Sequence, residues 1–78
     1  MKISVHAAQR FLERVMSKVD YNHVDVNFAI KYLEKLLQDV IPRASTAHFV
    51  LPGFENFRVI YKENVAITII PKGDKYVW

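Results

Sequence analysis

The hydrophobic pattern of this chain changes its period once, near residue 45, and that change restricts the fold more than any other feature. Before it, apolar residues recur every three or four positions: Val5, Ala8, Leu12, Val15, Met16 and Val19, then Val26, Ala29, Ile30, Leu33, Leu36, Leu37 and Val40. That spacing puts each set on one face of a helix. After it, β-branched and aromatic residues alternate with a period of two, as on a strand. A chain of 78 residues has room for one small domain, so the two halves must bury their apolar faces against each other.

Ser4 is placed to cap a first helix expected over 5–18, with a connection through Asp20, Tyr21 and Asn22. A second helix is expected over 23–41, capped by Asn22 or Asp25, whose negative charge suits a helix N-terminus. Pro42 stops it by restricting Ile41 and removing a hydrogen-bond donor. In the second half Ala47, Phe49 and Leu51 alternate against His48 and Val50, and Pro52-Gly53 marks a turn. Runs over 57–62 and 65–70 flank Glu63-Asn64, which suits a tight hairpin. That loop sets Lys62 opposite Val65, Ile60 opposite Ile67 and Arg58 opposite Ile69. Tyr61 then meets Ala66, Val59 meets Thr68 and Phe57 meets Ile70 on the other face. Pro71-Lys72-Gly73-Asp74 is a further turn, Tyr76-Val77-Trp78 a last short strand, and Lys2 to Val5 offers an edge strand. The expected fold is a single α+β domain over 1–78. Two N-terminal helices pack on a three- to four-stranded antiparallel sheet, in the order (β)ααβββ(β).

Composition narrows the chemistry. At 51% hydrophobic the chain is too apolar for intrinsic disorder. Without cysteine it has no disulfide, iron–sulfur cluster, thiolate zinc site or thiol nucleophile. His6, His23 and His48 lack metal-ligand spacing, so no metal and no other cofactor is expected. Two glycines cannot build a phosphate loop, and Ser4, Ser17 and Ser45 sit in no nucleophile elbow. No apolar run reaches the ~18–20 residues of a membrane span, and the N-terminus lacks the apolar block of a signal peptide. A small soluble cytoplasmic protein with no membrane partner is expected. Eleven Lys and Arg against eight Asp and Glu give a net charge of +3, which leans towards an anionic partner.

The segments Leu51-Pro52-Gly53-Phe54, Phe57-Arg58-Val59-Ile60-Tyr61-Lys62, Ile67-Thr68-Ile69-Ile70 and Lys75-Tyr76-Val77 together resemble the C-terminal half of the RelE/ParE toxin superfamily. In that family an aromatic-Arg-Val-Ile/Val-Tyr strand precedes an apolar strand and a basic segment ending in an aromatic. The helical pair, with its leucine-rich second member, is similar to the family's order of elements. The resemblance implies an mRNA-cleaving, metal-independent ribonuclease acting on free or ribosome-bound RNA and neutralised by an antitoxin. It assigns Arg58 to the scissile phosphate and Tyr76 to stacking or proton transfer, with Lys62, Lys72 and Lys75 as RNA-binding cations. The chain departs from the pattern in a very short first strand and in having no arginine between Pro71 and Tyr76. Those departures favour the alternative, a non-catalytic regulatory or phage-type protein that binds a host protein or nucleic acid through its sheet.

The first helix carries a second constellation. His6, Arg10 and Arg14, spaced by four, run down one face. A histidine beside two arginines suits acid–base chemistry with phosphate anchors, so His6 joins the catalytic candidates and Arg10 and Arg14 the RNA-binding ones. With Arg58 they are expected to form one anion-binding surface. The plainer alternatives are a polar helix face with Glu13 paired to Arg10 or Gln9, solvated cations at Arg58 and Lys62, and a packed Tyr76. Phe54/Phe57 and Tyr76/Trp78 lie near cations, as base stacking requires, but in so small a domain they read as core. Trp78 suggests a third reading, a homo-oligomer joined across the 76–78 edge.

Overall fold

The computed structural model describes residues 1–40 and 46–73. Its elements in chain order are β1 (Lys2–Ile3), α1 (Val5–Arg10), a π-helical turn (Phe11–Val15), α2 (His23–Leu36), β2 (Thr46–Val50), β3 (Phe57–Lys62) and β4 (Val65–Pro71). The strands form one sheet in the order β1-β4-β3-β2. This is the expected α+β arrangement with one correction: the sheet is mixed. β1 runs parallel to β4, with Lys2 opposite Val65 and Ile3 opposite Ala66. Parallel neighbours need a long crossover, and the helices together with β2 and β3 supply it. The expected strand at Tyr76-Val77-Trp78 lies outside the described residues.

Ser4 joins strand to helix. Its N–H donates to the Ala66 carbonyl at 3.0 Å, while its hydroxyl accepts from the Ala7 N–H at 3.0 Å and donates to the Ile67 carbonyl at 3.3 Å. The first helix departs from the expected 5–18 span. After Arg10 it widens, so that the Met16 N–H bonds to the Phe11 carbonyl five residues back, at 3.1 Å. Ser17 then takes a left-handed φ of 53° and ends it. The wider turn rotates the residues after Phe11 relative to an α-helical continuation, and Arg14 lies within it.

α2 begins at a capping box: the Asn22 side chain accepts from the Val24 and Asp25 N–H groups, and the Asp25 carboxylate accepts from the Asn22 N–H. It ends at Leu36, short of the expected residue 41, because the buried Leu37 (φ −101°, ψ 11°) turns the chain and the Val40 N–H closes on the Leu37 carbonyl at 3.1 Å. Pro42 lies outside the described residues. No described helix is long and apolar enough to cross a membrane.

In the β3–β4 hairpin Glu63 and Asn64 have φ of 51° and 63°, the double left-handed conformation of a type I′ turn. The register begins as expected, with Lys62 opposite Val65 and Tyr61 opposite Ala66, then slips by one at a bulge. Beyond it Ile60 faces Thr68, Val59 faces Ile69, Arg58 faces Ile70 and Phe57 faces Pro71. The extra residue, Ile67, moves Ile69 to the face of Val59 and puts Thr68 and Ile70 beside Arg58. The helices cover the first of these faces: Val59, Ala66, Ile69 and Leu51 share one core with Ala7, Ala8, Phe11, Leu12, Val26, Ala29, Leu33 and Leu37. Phe54 and Phe57 pack against it, as expected. Phe11, 2% exposed, meets the ring of Tyr32 at 5.6 Å and that of Phe54 edge-on at 5.7 Å.

Candidate nucleic-acid interface

Strand alternation separates two sets of side chains. With Val59 in the helix-side core, Arg58, Ile60 and Lys62 point to the opposite face. His48 and Val50 of β2 stand opposite Ile60 and Arg58 and share that face, as do Thr68 and Ile70 of β4. Among the described residues neither helix contributes to it. Ile60, Thr68 and Ile70 are buried, while His48 and Lys62 are exposed. Arg58 lies half-buried between them, with Nη1 3.3 Å from His48 Nδ1. A guanidinium can only donate, so Nδ1 accepts and a neutral imidazole keeps its proton on Nε2.

Arg58 Nε is buried and meets no acceptor among the described residues. Leaving such a donor unsatisfied costs about 1–3 kcal/mol, and because the atom has no exposed surface the side chain must turn before an outside anion can accept its hydrogen bond. Lys62 stands at the far end of β3. The Lys72 N–H bonds to the Asn56 carbonyl at 2.7 Å, which sets the basic turn beside the start of that strand. Cations therefore flank Arg58 in both directions.

Comparisons with protein-family models, curated proteins and solved structures find no match to this chain.

The helical constellation is arranged differently from its expected role. Arg10 Nη1 is bonded to one Glu13 carboxylate oxygen and the Tyr21 hydroxyl donates to the other. This is the plainer alternative, with Tyr21 added. Arg14 Nη1 donates to the Ile69 carbonyl at 2.6 Å. Beyond the short β1, the outer edge of β4 is thus met by protein donors: Ser4 at Ala66 and Ile67, Arg14 at Ile69. His6 is exposed on α1. His6 and Arg10 thus belong to the helical layer, Arg14 reaches the outer edge of β4, and Arg58 lies on the sheet face away from the helix-side core. Lys75 and Tyr76 lie outside the described residues. A groove of about 320 Å³ between α1 and the start of α2, lined by Val5, Gln9, Tyr21, His23 and Val26, contains no lysine or arginine.

The Glu13 cluster titrates. Its carboxyl is held below the ordinary 4.5, chiefly by the Tyr21 hydrogen bond; partial desolvation works in the other direction, and Arg10 adds to the lowering. The same bond raises Tyr21 above 10.0. Because Glu13 is more acidic folded than unfolded, its contribution to stability is present above pH 4.5 and is lost as the pH falls through its folded value. Tyr21→Phe should therefore narrow the difference in urea midpoint between about pH 7 and about pH 3 relative to wild type. An unaltered difference would locate the acid sensitivity in other carboxylates.

His48 is the member of the face that sequence reasoning passed over. Alternation in β2 already placed it away from Phe49 and the core. Its neighbour depends on the β2–β3 register, and the 51–56 connection is too irregular to fix that from sequence.

Proposed function

We propose that this protein is an RNA-cleaving domain of the RelE/ParE type, neutralised by an antitoxin protein, which takes the scissile phosphate on the sheet face that carries Arg58. The observation that carries this reading is the half-buried Arg58, with an unused Nε donor and a histidine within hydrogen-bond reach. The resemblance over residues 50–77 and the order of two helices followed by three antiparallel strands support it as well.

Cleavage through the 2′-hydroxyl needs a base, an acid and positive charge around the phosphorane. A phosphate entering the face competes with His48 for Arg58. Once the guanidinium turns to the phosphate, His48 Nδ1 is released with its lone pair free. It then accepts the 2′-hydroxyl proton as the 2′-oxygen attacks phosphorus. The P–O5′ bond breaks, leaving a 2′,3′-cyclic phosphate, and the 5′-oxygen takes a proton from the imidazolium or from Tyr76. Lys62 and Lys72 supply further field. The test is to incubate purified protein, free of any antitoxin, with naked RNA and with translating ribosomes. Fragments ending in 2′,3′-cyclic phosphate and 5′-hydroxyl are expected on at least one substrate. If both remain uncut, the enzymatic reading falls. The second reading is then a non-catalytic protein that grips phosphate at Arg58, which the single imidazole among the described residues of this face favours.

A further inference from the structure

α2 has a second apolar face. Val24, Phe28 and Tyr32, spaced by four, are 64%, 65% and 37% exposed. They lie on the side of the helix away from Val26, Ala29 and Leu33, which fill the core. A surface helix needs one apolar stripe, and a contiguous second one in water marks a place where something docks. The stripe is held from beneath. The Phe28 ring stacks on Tyr32, with centroids 6.4 Å apart and planes 11° apart, and Tyr32 packs on the buried Phe11. Lys31 and Lys35 fall in the same arc of the helix, and among the described residues neither is in an ion pair. Asp25, at the border of the arc, is engaged by Lys18 at 3.5 Å. Two lysines four residues apart weaken an isolated helix, so this pair makes better sense beside external negative charge.

We infer that this face docks an acidic amphipathic helical segment of another protein, with its apolar side on Val24, Phe28 and Tyr32 and its carboxylates on Lys31 and Lys35. The three anchors extend about 12 Å along the helix, the two-turn ridge that helix-on-helix recognition reads. The lysines set the sign of the partner. A second copy fits less well: a two-fold centred on Phe28 runs the helices antiparallel and sets Lys31 near Asp25, which Lys18 already engages, and leaves Lys35 without an acid. Nucleic acid fits less well too, because Val24 at one end of the stripe offers a base nothing to stack on. The inference is independent of the phosphate reading, whose residues lie across the sheet.

The test titrates the isotopically labelled full chain with a synthetic helical peptide about 16 residues long, leucine on one face and glutamate on its flanks. Saturable amide shifts are expected at Val24, Phe28, Lys31, Tyr32 and Lys35, with His48 and Arg58 unmoved. Phe28→Ala should weaken binding by about tenfold or more. The same peptide with lysine for glutamate should bind at least about tenfold more weakly, and Lys31→Glu combined with Lys35→Glu should invert that preference. No shift at millimolar peptide, or equal binding of both peptides, overturns the inference. An RNA oligonucleotide that shifts the stripe assigns it to nucleic acid instead. A dimer in sedimentation that Phe28→Ala dissolves assigns it to a second copy.

Discussion

Arg58→Ala is expected to lower RNA cleavage by ~10²–10³ in rate, the usual loss when one donor to a developing oxyanion is removed, and to leave the fold intact. The side chain contributes no volume to the helix-side core, and its buried Nε meets no acceptor among the described residues. Removing it relieves a buried unsatisfied donor, so the thermal midpoint should stay level or rise. Arg58→Met, which keeps the stem, should show the rise most clearly. Arg58→Lys should not rescue cleavage, since an ammonium cannot present two parallel donors to a phosphate. His48→Ala should retain RNA binding but lose cleavage. Rates on a fluorescent RNA and melting curves on the same samples decide the matter. A parallel fall in activity and melting temperature in Arg58→Ala would make Arg58 a structural residue.

Phe11→Ala should come close to unfolding the domain. Truncating a buried phenylalanine costs about 3–5 kcal/mol. A domain of 78 residues has roughly 4–12 kcal/mol of stability in total. At about 4–8 °C per kcal/mol, the expected fall in thermal midpoint is roughly 12–40 °C. Phe11 is buried at the point where the π-helical turn, α2 and the 51–56 connection meet, through its contacts with Tyr32 and Phe54. Its loss opens a cavity bordered by three segments that cannot all collapse into it. Circular dichroism melting measures the shift. A fall of only a few degrees would show that the centre of the core lies elsewhere.

What could be read from the sequence was local. The Glu63-Asn64 turn declares itself, because two adjacent left-handed residues match the twist of a hairpin. The Asn22–Asp25 box was visible as two competing caps that turn out to act together. The change of period gave the layers, and the alternation of Phe57, Val59 and Tyr61 against Arg58, Ile60 and Lys62 gave two faces without telling which one meets the helices. What was hidden depends on partners far away in the chain. The bulge at Ile67 arises because Ile69 is drawn into the helix-side core while Thr68 and Ile70 take the other face, a choice that neither strand makes alone. Arg14 reads as a surface cation until β4 offers it the Ile69 carbonyl. Arg58 was visible as an arginine in an apolar strand, but its pairing with His48 needed the β2–β3 register. β1 falls within the edge strand expected over Lys2 to Val5, but its parallel pairing with β4 was hidden, since two residues carry no pattern.

That parallel strand imposes an order on folding during synthesis. Ser4 caps α1 yet also bonds to Ile67, 63 positions later, and Arg14 waits for Ile69. α1 has six residues before its wide turn, far below the ~12–15 at which an isolated helix begins to hold. The opening segment can pack on α2 as soon as that helix emerges, but the hydrogen bonds of β1, Ser4 and Arg14 wait until β4 has followed it. The β3–β4 hairpin closes within microseconds once its strands are free. The sheet is then completed backwards along the chain, from the strand made last among the described elements to the one made first.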